Sequence, residues 1–274
     1  MRFCSLGSGS RGNATLVDTG GYRILVDNGF SLRELLRRLE RVGVAPATID
    51  CLLLTHEHAD HVKGVASFVR RHDVEVWTTP GTWRAAGAPD VPRLRLLSGP
   101  GQTLELDGVR VSSYPVPHDA REPCQFVFES GGHRLGMLTD CGRVTPHIQQ
   151  FLSDCDALIL EFNHDSQSLQ RGPYPLSLQR RISGGFGHLS NRQAGDFLDR
   201  LSWGALQHLV VAHVSEANNH PDLVLDTIRS VSTTLAEQAV LWEQDAPSPW
   251  CAFASGTQRA HGPAALVEPS SSPG

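Results

Sequence analysis

Short apolar runs alternate with helical periodicity along the first half of the chain. Residues 3–6, 15–17 and 22–26 are brief, apolar and rich in β-branched or aromatic side chains, and read as strands. The spacing then changes. Leu32, Leu35, Leu36, Leu39 and Val42 fall on one face of a 3.6-residue repeat, and Ser31 followed by Glu34 is a capping-box signature, so residues 32–42 are predicted to be a helix. A buried run at 51–54 predicts the next strand, followed by a helix from about 61 to 71 and a strand at 74–77. Further strands are expected at 109–114, 125–129 and 134–139, then a short helix near 145–152. The pattern repeats with a strand at 157–161, a helix at 191–201, a strand at 208–212 and a helix at 221–235.

Strands clustered in meanders and interrupted by helices in both halves imply sheets packed together with helices outside, an α/β (α+β) architecture. No internal repeat is visible. Residues 167–190 are rich in Gly, Pro and Ser but carry Arg171, Arg180 and Arg181, and are expected to form a long functional loop. Beyond residue 254 the composition shifts to Gly, Pro, Ser and Ala. One domain over 1–254 and a disordered tail over 255–274 are therefore expected.

Composition narrows the function. A chain of 274 residues can bury roughly three quarters of the surface it exposes when unfolded, so folding needs no covalent or metal staple. With 24 Lys+Arg against 29 Asp+Glu the net charge is −5, which excludes a surface that is basic throughout and leaves room only for a local basic patch. No run approaches the roughly 18 apolar residues of a membrane span, and a soluble, cytoplasmic protein is expected. The six cysteines are scattered without a C-x-x-C pair, which points to reduced, buried thiols.

The 13 histidines stand out, and four chemistry-bearing residues are concentrated in His56-Glu57-His58-Ala59-Asp60-His61, directly after the apolar run at 51–54. His56 and His58 can point to one side of an extended loop, while Asp60 and His61 open the next helix and can face a second position. Imidazole and carboxylate suit Zn²⁺ and other borderline first-row metals. Four ligands cannot complete two sites. His118, Asp140 and His213 each lie just past an apolar strand, as His56 does, and a rim of strand ends is where a sheet holds ligands in fixed geometry.

With these residues in place the chain resembles the metallo-β-lactamase-fold hydrolases over about residues 2–253. Asp27, His56 to His61, His118, Asp140 and His213 match that family's pattern in order. More narrowly it is similar to the bacterial YycJ (WalJ) type, through Leu6-Gly7-Ser8-Gly9-Ser10 with Gly12-Asn13, Pro117-His118-Asp119-Ala120, Glu161-Phe162-Asn163-His164-Asp165, Gly187-His188-Leu189-Ser190-Asn191 and Ala212-His213-Val214-Ser215-Glu216-Ala217-Asn218-Asn219. The resemblance implies a four-layer αββα sandwich with two divalent metal ions, zinc by default and Mn²⁺ or Fe²⁺ as alternatives. One ion would take His56, His58 and His118 and the other Asp60, His61 and His213, with Asp140 bridging and Asp27 orienting the ligand loop. A water shared by the two ions would be acidified towards neutral pH and attack the substrate as hydroxide.

His188 is the candidate partner for the leaving oxygen, and with Asp60 makes up the candidate catalytic residues. Ser190 and Gln193 form a second capping-box signature, so a helix starting at Asn191 would aim free N–H groups at an anion beside His188. His164 is a weaker candidate. No acidic residue lies between Asp165 and Asp196, while Arg171, Arg180, Arg181 and Arg192 do, and such a run would focus a polyanion at the proposed phosphate site. The expected function is a phosphodiesterase or nuclease acting on nucleic acid, exonuclease-like on DNA. Two alternatives remain: hydrolysis of a small phosphodiester, ester, thioester or lactam at the same centre, and a non-catalytic metal-binding protein.

Overall fold

The computed structural model describes residues 1–99, 101–202 and 206–254, so the expected tail lies outside the described residues. The chain first builds β1 (Arg2–Gly7), β2 (Ala14–Asp18), β3 (Arg23–Val26), α1 (Leu32–Arg41), β4 (Cys51–Leu53), α2 (Ala59–Val62), α3 (Val65–His72), β5 (Glu75–Thr78), α4 (Pro80–Ala85) and β6 (Leu94–Leu96). It continues through β7 (Thr103–Leu106), β8 (Val109–Pro115), β9 (Cys124–Ser130), β10 (His133–Leu138), α5 (Pro146–Leu152), β11 (Ala157–Glu161), α6 (Ser166–Arg171) and α7 (Leu176–Ile182). The last elements are α8 (Asn191–Asp199), β12 (His208–Ala212), α9 (Pro221–Val231), α10 (Thr233–Gln238), β13 (Val240–Leu241) and β14 (Cys251–Ala252).

The strands form two seven-stranded sheets, ordered β14-β1-β2-β3-β4-β5-β6 and β13-β12-β11-β10-β9-β8-β7. Each is antiparallel at one end and parallel at the other. The change falls at β3, antiparallel to β2 and parallel to β4, and at β10, antiparallel to β9 and parallel to β11. Phe3, Val26, Leu53, Phe126, Phe128, Met137 and Ile159 from the two facing sheets share one core. Burying each such side chain contributes roughly 1.5–3 kcal/mol. Leu35 and Leu39 of α1 and Phe68 of α3 close the outer face of the first sheet, and Ile148, Phe197, Val224 and Leu235 cover the second. The expected αββα sandwich is the observed one. Among the described residues no helix is long and apolar enough to cross a membrane. All six cysteines are free and buried.

Several elements differ from expectation for local reasons. The stretch expected as one loop over 167–190 contains α6 and α7. Asp165 caps α6 by accepting from Ser168 N, and Pro175 leads into α7. The helix expected at 61–71 is two, divided at Gly64, where a Cβ would overlap the Phe30 carbonyl. The helix expected at 221–235 stops at Ser232, whose side chain then caps α10 through Leu235 N. Ser31 caps α1 through Glu34 N, but the Glu34 carboxylate turns to Arg37 and Arg38, so the box is half formed; the Ser190–Gln193 box is complete.

Candidate metal centre

The side chains of interest gather where the parallel strands end. Asp27 follows β3, His56 follows β4, Asp140 follows β10, Glu161 ends β11 and His213 follows β12. Ligands in open sheets with parallel strands sit at such carboxyl ends, beside the point where strand order reverses. Asp27, Asp140 and His213 adopt left-handed φ values of 59°, 54° and 55°. Each costs about 1–3 kcal/mol in a non-glycine residue and persists only where its surroundings hold it. Here they do. Thr55 donates to Asp27 through its N–H at 2.9 Å and its hydroxyl at 2.8 Å. Asp140 N and Cys141 N donate to Glu161 at 3.3 Å, and His213 N donates to Ser8 Oγ at 2.9 Å.

The same contacts aim the rings. His61 Nδ1 bonds Asp27 Oδ2 at 2.8 Å, His58 Nε2 meets the Asp119 carbonyl at 3.2 Å, and His118 Nδ1 meets the Gly187 carbonyl at 3.0 Å. His56 Nδ1 lies 2.9 Å from Thr55 Oγ1. One nitrogen of each ring is thereby occupied, leaving His56 Nε2, His58 Nδ1, His118 Nε2 and His61 Nε2 turned inward. Gly29 closes the turn after Asp27 against the Asp60 carbonyl, where any Cβ would overlap.

Ligand-type atoms within 4.8 Å of one another form four groups: His56, His58 and His118; His56, His61 and Asp140; Asp60, His61 and His213; and Asp140, Glu161, His188 and His213. His118 Nε2 is 3.3 Å from His58 Nδ1, and His61 Nε2 is 3.5 Å from both Asp60 and Asp140. His56 Nε2, His213 Nε2 and Asp140 Oδ2 are buried without any hydrogen-bond partner. Buried polar atoms are rarely left so. Three such atoms distributed over these overlapping donor groups fit divalent cations. Electrostatics agree. Burial holds His56 well below the ordinary histidine range, leaving its lone pair free. Burial opposes charge on His61 and His213 as well, but Asp140 and Asp27 outweigh it and raise His61, and Asp140 and Glu161 raise His213 to about 9. The carboxylates thus draw positive charge into the centre.

Glu161 is the site residue to which the sequence alone assigns no role. Fully buried, it accepts from His188 Nδ1 at 2.7 Å, His213 Nδ1 at 3.0 Å and Leu189 N at 2.9 Å. Burial would raise its carboxyl, but His188 and His213 bring it down to about 2. It is the last residue of an apolar strand, whereas His118, Asp140 and His213 lie just past theirs.

Not every expected residue reaches the centre. His58, Asp60, Asp140, His188 and His213 lie on the floor of a cleft of about 400 Å³, walled by Tyr174, Leu178, Arg181 and Ile182. Of the arginines only Arg181 lines it, ion-paired with Asp119; Arg171 and Arg180 stand exposed elsewhere on α6 and α7, and Arg192 faces Asp196 at 3.8 Å. Ser190 and Asn191 do not line the cleft. The Ser190 side chain is used by its cap, and Asn191 exchanges side-chain hydrogen bonds with Asn219 at 2.9 and 2.8 Å. His164 is buried outside the cleft lining, and burial lowers it to about 4.

Comparison with known proteins accords with this geometry. Residues 22–214 match the β-lactamase superfamily domain, which covers more than half of the chain. The chain belongs to the β-lactamase superfamily. Within the superfamily it is 31% identical to the exodeoxyribonuclease YycJ of Bacillus anthracis, over 87% of this chain and 90% of that protein. It is 29% identical to the exodeoxyribonuclease WalJ of Streptococcus pneumoniae, over 81% and 85%. Zn²⁺-bound PqqB of Methylobacterium extorquens superposes with a TM-score of 0.66 at 17% identity, covering 91% of this chain and all of the other. As a member of the β-lactamase superfamily, the protein is a metal-dependent hydrolase with the metallo-β-lactamase fold.

Proposed function

We propose that the protein is a two-metal phosphodiesterase that removes nucleotides from DNA ends. The observation that carries this reading is His188, oriented by Glu161, standing beside a cluster of metal-ligand-type side chains of which His58, Asp60, Asp140 and His213 line the same cleft. The names of the YycJ and WalJ relatives support DNA as substrate. The cleft lies at the low end of the roughly 300–1,000 Å³ of ligand pockets, which suits one nucleotide at a time better than a duplex.

His56, His58 and His118 would hold one ion and Asp60, His61 and His213 the other, with Asp140 shared between them and zinc the favoured metal. When bound, such ions neutralise phosphoryl oxygens and lower the pKa of a water for in-line attack. Asp27 and Thr55 keep the His61 and His56 rings in place. Asp60, 24% exposed, faces the cleft as well as the centre, where it can touch the substrate. His188 gives a proton to the leaving oxygen from Nε2, its Nδ1 being held by Glu161. The test is a panel of duplex and single-stranded DNA, RNA, bis(p-nitrophenyl) phosphate and a lactam, each with Zn²⁺ or Mn²⁺. Mononucleotide release from DNA is expected; turnover of the lactam or of small esters alone would replace the reading with a small-molecule hydrolase.

The basic surface gives a separate prediction. Replacing Arg171, Arg180 and Arg181 together with alanine is expected to weaken DNA binding and to lower the slope of log affinity against log salt by about 0.9 for each phosphate that the protein no longer neutralises. Fluorescence anisotropy across a salt series measures both. An unchanged slope would make these arginines ordinary solvated surface.

A further inference from the structure

Among the described residues Phe186 is an exposed large aromatic, 58% accessible, and it sits two positions before His188. A single exposed apolar side chain is common and carries nothing alone. What distinguishes Phe186 is its backbone. A Cβ on Gly142 would overlap the backbone of Gly185 and Phe186, and one on Gly187 would overlap the carbonyls of Arg181 and Ile182. Gly187 N donates to Gly184 O at 2.9 Å and His188 N to Ile182 O at 2.8 Å, while the Gly187 carbonyl meets His118 Nδ1 at 3.0 Å. The tip is clamped on both sides and tied to a ligand histidine, yet it holds its ring out in water. The guanidinium of the exposed Arg143 lies 5.7 Å from the centre of that ring.

A rigid aromatic face beside a guanidinium is the combination that stacks a nucleobase and holds its neighbouring phosphate, without regard to base identity. Its position adds direction. If His188 protonates the leaving oxygen, the nucleotide bearing that oxygen lies on the His188 side of the scissile phosphate, and Phe186 stands outside the cleft lining, two residues before His188 on the same turn. We propose that Phe186, flanked by Arg143, is the platform on which the unpaired base of that nucleotide stacks, so that the enzyme engages an unstacked base and not a sequence. The inference rests on the DNA reading given above.

A thermodynamic cycle tests it. Wild type, Phe186→Ala and Phe186→Trp are assayed on oligonucleotides with an abasic site placed in turn on either side of the first cleaved phosphate, the product ends showing which oxygen leaves. Phe186→Ala is expected to lose roughly tenfold to a hundredfold in kcat/KM on intact DNA and little on the strand lacking the leaving-side base, with Phe186→Trp restoring most of the loss. Without added metal, 2-aminopurine at that position should be quenched by wild type and Phe186→Trp but not by Phe186→Ala. Losses that multiply at both positions, or coupling on the attacked side alone, would overturn the proposal. Failure of the wild type to hydrolyse any DNA would instead overturn the DNA reading, before any variant is compared.

Discussion

Replacing His58 with alanine is expected to release metal and to lower phosphodiester hydrolysis by about a thousandfold or more. A bound metal contributes several kcal/mol of transition-state stabilisation, and each 1.4 kcal/mol is a factor of ten. His58 is well suited to the experiment because its side chain is 28% exposed, so its removal leaves no sealed cavity and the fold should persist. Its Nδ1 faces His118 Nε2 at 3.3 Å within the group of three that also holds His56. Metal content per chain by atomic emission, alongside turnover of bis(p-nitrophenyl) phosphate, measures both effects. A variant that keeps its full metal content would remove His58 from the ligand set.

His188→Ala is expected to behave differently, keeping its metal while turnover falls by roughly a hundredfold or more, the usual scale for a general acid. The structure makes this a sharp comparison. His188 Nδ1 is 2.7 Å from Glu161 and 3.9 Å from Asp140, and the residue belongs to the group that also contains His213. A ligand role and an acid role therefore compete at one side chain. If the variant loses an ion, His188 is a ligand and Glu161 holds it for the metal; if both ions stay while turnover falls, it is the acid.

Much of this arrangement is legible in the chain because strand ends are legible. Apolar runs of four to six residues mark β4, β10, β11 and β12, and the polar residues just beyond them include His56, Asp140 and His213. Glu161 obeys nearly the same rule, but it occupies the last position of its strand instead of the position beyond it, and a lone glutamate there has no spacing motif to mark it. The short helices α6 and α7 are hidden by composition. Leu178 and Ile182 are separated by one turn, but Gly, Pro and Ser around them outweigh so brief a period. The breaks at Gly64 and Ser232 depend on what the backbone meets in space, namely the Phe30 carbonyl, and on a cap that competes with helix continuation. Nor can sequence separate the arginines. Arg181 reaches the cleft and Arg171 and Arg180 do not; Arg180 and Arg181 share α7, where adjacent positions face different ways.

The most direct test of a two-metal phosphodiesterase is to strip the protein of metal with a chelator and titrate Zn²⁺ or Mn²⁺ back while measuring nucleotide release from DNA. Stripped protein should be inactive, and activity should return in proportion to occupancy and level off at two ions per chain. Nucleotide release that persists in the stripped protein, or that reaches its plateau at one ion, would contradict it.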